Sequence, residues 1–340
     1  MHAACTSLAA MAAFGVLHAA CTKVWSMVAR ATRSASRKAR ATEAVATGPL
    51  GALSHDELGV IVDGLADPLQ PVVAVAFSST CLGLRTPLRA ALEVLQQQHE
   101  KAKALCHKMK TSWKNEHGQY QPCSCAWLRD SEIVIWYDKL NTKDMVTLGI
   151  IMRMNGLPKL QKLFLCHNGF ADTGMHVLCE SLCIGAAPSL RVLVLQDNKF
   201  GPAGAEALAA ALGRGAFPKI ESLHLYGNPV GNRGVTALAA SLSKLPALTT
   251  LYLGRCEIDD EGVASLVDNL GKDDFKALEK LFLNGNKVTD AGVAKLLAAL
   301  NAGGLPKLVN QPFLLKDNPA SAVAVEAVQG ALVKRGAPVE

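Results

Sequence analysis

The chain has 340 residues, half of them hydrophobic, with aromatics at 5% and a formal net charge of +6. That length suits one elongated domain or two smaller ones, with ample apolar material for a core. Residues 1–42 hold Lys23, Arg30, Arg33, Arg37, Lys38 and Arg40 and no acid, which leaves 29 basic and 29 acidic residues elsewhere; a neutral body argues against a nucleic-acid footprint.

The N-terminal run SLAAMAAFGVLHAA is about as long as a signal-peptide core and too short to span a bilayer. The acid-free RATRSASRKARAT behind it has the look of a transit peptide. Residues 1–49 are therefore expected to be a disordered or targeting tail. The ten cysteines sit mostly in apolar patterns, as small hydrophobes do in a reducing compartment. A cytoplasmic or nuclear location follows, with organelle targeting through residues 1–42 as the alternative. No membrane span is expected.

Residues 50–90 read as three short helices. Ser54 can cap the first, Asp56 and Glu57 suit its positive end, and Leu58, Ile61, Val62 and Leu65 follow at helical spacing. Asp67-Pro68 ends it. A second runs from Val72 to Phe77, and a third carries Cys81, Leu84 and Leu88. The module is too small to be an enzyme.

With Leu53, Asp56, Glu57, Leu58, Ile61, Leu65, Asp67, Pro68, Ser78, Cys81 and Leu84, this stretch resembles the F-box. It departs from that pattern at Ser54, where the family has proline, and in lacking the common tryptophan near the end. The resemblance implies adaptor contacts at Leu53, Leu58, Ile61, Leu65 and Pro68. The alternative is a helical cap on the domain that follows.

Residues 91–126 read as an amphipathic helix and a polar linker. Cys106, His107, His117, Cys123 and Cys125 are possible zinc ligands. C-x-C has one intervening residue where structural zinc sites usually have at least two. Scattered thiols and imidazoles of a loop are the expectation, with no metal and no cofactor.

From residue 127 to the end the chain repeats. LQKLFLCHNGF, LRVLVLQDNKF, IESLHLYGNPV, LTTLYLGRCEI and LEKLFLNGNKV are each followed by a glycine and a helical segment, at a period of 28–30. Asn168, Asn198, Asn228, Cys256 and Asn286 hold the asparagine place. Gly174, Gly204, Gly234, Gly262 and Gly292 follow it, and then Leu178, Leu208, Leu238, Leu266 and Leu296. Degenerate copies flank the five. In front, IVIWYDKL puts Ile133 and Ile135 at the inward strand places, with Asp144 where glycine should be. Behind, Phe313, Leu315 and Asn318 match the strand, and Val328 and Leu332 the helix.

The pattern resembles the long leucine-rich repeat of the ribonuclease-inhibitor class. It implies an α/β fold: a right-handed solenoid with parallel strands inside, helices outside and atypical ends, preceded by an all-helical module.

Alternate strand residues face opposite ways, so three columns should line the concave face. Within them stand Trp136, Tyr137, Phe164, Tyr226, Tyr252 and Phe282, six of the chain's 17 aromatics. With His167, His224 and Arg255 they are the expected partner contacts, since aromatic and arginine side chains anchor interfaces. Strand propensity alone is the competing explanation.

No G-x-S-x-G, phosphate-binding loop or H-E-x-x-H is present, so a non-enzyme is expected. An F-box-like module before leucine-rich repeats is similar to the substrate-receptor subunits of cullin-RING (SCF-type) ubiquitin ligases, which implies a Skp-type adaptor, a cullin complex and a protein substrate. A plain binding scaffold is the second possibility. The repeat also resembles that of Ran-type GTPase activators, whose acidic C-terminal tail contrasts with VKRGAPVE here.

Overall fold

The computed structural model describes residues 66–72, 74–75, 82–108, 123–137, 140–154, 156–268, 270–271, 273–309 and 313–336. The chain divides into two units, Met1–Lys101 and Ala102–Glu340. The division falls within the helix α1 (Leu82–His107), which runs unbroken for 26 residues. The third short helix and the amphipathic helix expected from the sequence are thus one element. Leu53, Leu58, Ile61 and Leu65 lie outside the described residues, as does the tail. Pro68 is buried, and its carbonyl accepts a 2.6 Å hydrogen bond from His99 Nδ1.

The second unit is a succession of strand–helix turns. The strands are β1 (Ile133–Ile135), β2 (Lys162–Phe164), β3 (Val192–Val194), β4 (Ser222–His224), β5 (Thr250–Tyr252) and β6 (Lys280–Phe282). They form one parallel sheet in chain order. A short α2 (Cys125–Asp130) precedes β1. The helices α3 (Thr142–Arg153), α4 (Ala171–Ser181), α5 (Pro202–Gly213), α6 (Gly231–Ser243), α7 (Asp260–Val267) and α8 (Asp290–Asn301) follow the strands one by one, and α9 (Ala322–Gly336) closes the series.

The leucines explain the geometry. Leu163, Leu193, Leu223, Leu251 and Leu281 pair directly across the sheet and are buried. Two residues on, Leu165, Leu195, Leu225, Leu253 and Leu283 are buried as well. Leu178, Leu208, Leu238, Leu266 and Leu296 meet them from the helices. One three-residue strand cannot bury its side chains alone; stacked turns can.

The asparagine column stitches the turns together. Asn198 Nδ2 donates to Leu165 O and Leu195 O at 2.7 and 2.8 Å, and Asn228 Oδ1 accepts from Asn198 N at 2.9 Å. Asn228 and Asn286 repeat the pattern. At Cys256 the thiol takes over the donor role, reaching Leu225 O at 3.3 Å. Burial pushes that thiol's pKa up to about 12, so it stays protonated and able to donate. The glycine at each helix start makes room: a Cβ on Gly234 would sit 2.6 Å from Val230 Cγ1 and 2.9 Å from Ala205 Cβ.

The end copies depart from the expected register. Val134, not Ile133, pairs with Leu163. Val134 and Trp136 are therefore the inward residues of β1's turn, and Trp136 is 1% exposed while Ile133 is 46% exposed. A slip of one residue in a strand turns every side chain over. The front copy keeps a 30-residue offset in its helix, where Leu148 matches Leu178, but has a 29-residue offset in its strand; the expected register carried the helix offset into the strand. Asp144, at the glycine place, completes a capping box with Asn141 and pairs with Lys108 at 2.5 Å.

At the far end Leu315 and Asn318 match: Asn318 Nδ2 donates to Leu283 O and Leu315 O. Val328 and Leu332 are buried as expected. Phe313 is not inward. It is 50% exposed, and Leu314 is buried in its stead at 3%.

Candidate functional site

The sheet face away from the helices carries the side chains between and after the paired leucines. Because the strands pair without stagger, equivalent residues lie side by side at about the 4.8 Å strand spacing. Three successive rings thus stack. His224 and Tyr252 have centroids 4.1 Å apart at 24°, and Tyr252 and Phe282 are 4.3 Å apart and parallel.

Tyr226 lies beside this stack, over Gly254 in the turn after β5. The room it occupies exists because residue 254 is glycine: a Cβ there would meet Tyr226 Cδ2 at 2.8 Å and Asn284 Oδ1 at 2.7 Å. The Arg255 guanidinium sits 5.7 Å from the Tyr226 ring centre, within cation–π range. Phe313 extends the apolar floor beyond Phe282. Together with Gln196 and Asn284 these rings line a shallow groove of about 440 Å³.

Eight of the nine expected contact residues lie on this face, but not as one cluster. Tyr252, Phe282, Tyr226, His224 and Arg255 come together on β4–β6. Tyr137 and His167 form a second, smaller pair toward β1, with rings 6.5 Å apart, and His167 Nδ1 lies 3.6 Å from Asp197 Oδ2. Phe164 stands on β2 between the two groups. Trp136, the ninth, is a core residue. Its indole nitrogen is buried without a hydrogen-bond partner. Sequence reasoning missed Phe313, because FLLKDN offers three consecutive apolar residues for two inward places.

His224 is neutral in this setting. Burial lowers its pKa from 6.5 to about 4, and Ser222 Oγ lies 2.8 Å from its Nε2. The folded state favours the neutral ring, so the unfolded chain binds more protons between these two values. The stability His224 contributes is full above pH 6.5 and is lost as pH falls toward 4. His224→Gln is expected to lessen the loss of unfolding free energy between pH 7 and pH 5, measured by urea denaturation at each pH.

Gly254→Ala tests the packing of Tyr226. The added methyl cannot coexist with the ring, so Tyr226 must turn away from residue 254. The expected result is a stability loss of about 1–2 kcal/mol and an altered tyrosine signal in near-ultraviolet circular dichroism. An unchanged spectrum would contradict the described packing.

The thiols expected to be scattered are partly gathered. Cys106 Sγ lies 3.8 Å from Cys125 Sγ. Hydrogen bonding of the Cys106 thiol with Cys123 and Cys125, in which its protonated form donates, and then burial, drive its pKa far above the ordinary thiol range. His107 ends α1, and His117 lies outside the described residues. No group of three or more His, Cys, Asp or Glu among the described residues is arranged to hold a metal ion. Likewise, no described helix is long and apolar enough to cross a membrane.

A family model, Leucine Rich repeat, matches residues 186–209, 218–239 and 244–267. The chain carries leucine-rich repeats. The three matched segments run from before β3 through α7, and their parallel strands and alternating helices make this unit an α/β leucine-rich-repeat solenoid. No curated protein matches the chain significantly. Leucine-rich repeats mark a protein-interaction scaffold, and the matched segments include β4 with His224, β5 with Tyr252, and Tyr226 in the turn after β4.

Proposed function

We propose that the chain is a non-catalytic recognition subunit that seats a protein partner on the open face of the leucine-rich repeats, centred on β4–β6. The stacked rings of His224, Tyr252 and Phe282 carry this reading. The solenoid core is complete without them, since the leucines on either side are already buried. An aromatic row that the core does not use is what an interface anchor looks like.

The test uses the full chain as bait. Partners retained by the wild type should be lost with Phe282→Ala and kept with Arg233→Ala. Arg233 is an exposed helix-face residue paired with Glu206. Equal retention by both variants would remove the open face from the account.

A finer reading is a substrate receptor of an SCF-type ubiquitin ligase. The F-box-like spacing of Leu53, Leu58, Ile61, Leu65 and Pro68 ahead of the repeats favours it. Retention of a Skp-type adaptor by the full chain, and its loss in Leu58→Ala/Ile61→Ala, is the expected result. No retention would discard the ligase link and leave the binding scaffold standing.

A further inference from the structure

The groove over β4–β6 has a charge balance that narrows what it can take. Its lining consists of aromatic rings and two amides, with no carboxylate. Three cations rim it. Arg255 lies over Tyr226 and Lys316 lies 5.4 Å from the Phe313 ring centre. Lys280, two residues before Phe282 in β6, is exposed on the same face.

By contrast, Arg191 pairs with Glu221 and Lys287 with Glu257. Arg255, Lys280 and Lys316 have no carboxylate partner among the described residues. Two acids share the loop edge. Asp197 accepts from Gln196 Nε2 at 2.9 Å and faces His167, and Asp317 stands exposed in the last turn. Glu279, next to Lys280 in the chain, is exposed as well, so three cations border the rings against two acids, Glu279 and Asp317, left without a donor among the described residues.

We infer that the groove takes an acidic segment of a partner protein. An apolar side chain of that segment packs against Tyr252, Phe282 and Phe313, and flanking carboxylates meet Arg255, Lys280 and Lys316. The inference rests on the open-face reading above and adds the chemistry of the partner. Desolvating aromatics supply the anchor, and the cations supply orientation and discrimination against basic segments. Gln196 and Asn284 can bond an extended backbone, having both donor and acceptor groups.

Single-stranded nucleic acid also pairs cations with aromatics, but it needs open ring faces for base stacking. Here Tyr252 lies between His224 and Phe282 with both faces covered.

A random-peptide phage library panned against the full chain provides the test. The expected consensus places Asp or Glu beside Phe, Leu or Trp. The corresponding synthetic peptide should bind more weakly as salt rises. K280E/K316E should weaken it about tenfold or more, with circular dichroism showing the variant folded. A consensus lacking acids, unchanged affinity in K280E/K316E, or displacement by a single-stranded oligonucleotide would overturn the acidic-segment assignment. If such a peptide still loses binding with Tyr252→Ala, the open-face reading survives and only the charge assignment falls. No enriched peptide, or binding indifferent to both variants, would sink the two together.

Discussion

Asn228→Ala is expected to lower the stability of the repeat unit by about 3–5 kcal/mol. The side chain is fully buried. Its Nδ2 donates to Leu195 O at 2.9 Å and Leu225 O at 2.8 Å, and its Oδ1 accepts from Asn198 N at 2.9 Å. Alanine removes these three bonds and a longer one from Nδ2 to Tyr226 O at 3.3 Å, and admits nothing in their place. Asn198 N then lies buried without its partner, at about 1–3 kcal/mol, while Leu195 O keeps Asn198 Nδ2 and Leu225 O keeps the weak Cys256 thiol, and each lost bond adds about 1 kcal/mol.

Cys256→Ala supplies the internal contrast. There the bonds lost come from a thiol, a weak donor, at 3.3 and 3.4 Å. Its expected cost is about 1 kcal/mol, comprising weak donors and a small cavity. Urea unfolding followed by circular dichroism compares the two directly. Similar costs at both positions would mean that the ladder is not what closes these turns.

Tyr252→Ala is expected to weaken partner binding by about 2–4 kcal/mol, the range of an interface hot spot and roughly 30- to 1,000-fold in affinity. Tyr252 is the middle ring of its stack, so its loss also frees His224 and Phe282. Each ring pair contributes about 0.5–1.5 kcal/mol beyond its burial, so the two lost pairs cost about 1–3 kcal/mol of stability, and folding is measured beside binding. Tyr252→Phe keeps both stacked pairs and should keep most of the affinity. Calorimetric titration together with urea unfolding separates these effects. A Tyr252→Ala protein that unfolds at far lower urea would place the ring in the core and remove it from the interface.

The repeating part of the fold was legible because each copy states its own register. Leucines at fixed offsets from Asn168, Asn198, Asn228 and Asn286 leave one way to fold the turn. The side chains between them are assigned to the open face by alternation alone. Tyr226, Tyr252, Phe282, Phe164, His224 and Arg255 were found in this way. The stack itself was implied, since unstaggered parallel strands bring equivalent residues within ring-contact distance.

Legibility failed at the two ends, for one physical reason. The residue 29 before Asn168 is Lys139, so no asparagine pins the strand of the front copy. IVIW then fits inward residues at either parity, and the indole at Trp136 fills the core at the end of the sheet. At FLLKDN three apolar residues compete for two inward places, and Phe313 is the one left outside. The meeting of Cys106 with Cys125 could not be read because 18 residues separate them in a stretch without a repeat to fix spacing. The room for Tyr226 was only half visible. Glycine at 254 is evident in the sequence, but that the neighbouring tyrosine crosses over it is a matter of side-chain direction.

The most direct test of the account places a photo-crosslinking amino acid at single positions of the full chain and compares capture of the partner. Position 252 lies in the middle of the stacked rings, and position 240 is exposed on α6, on the opposite side of the turn. Crosslinking from position 252 and none from position 240 is the predicted outcome. Equal capture from both, or capture from position 240 alone, would contradict the claim that the partner sits on the open face.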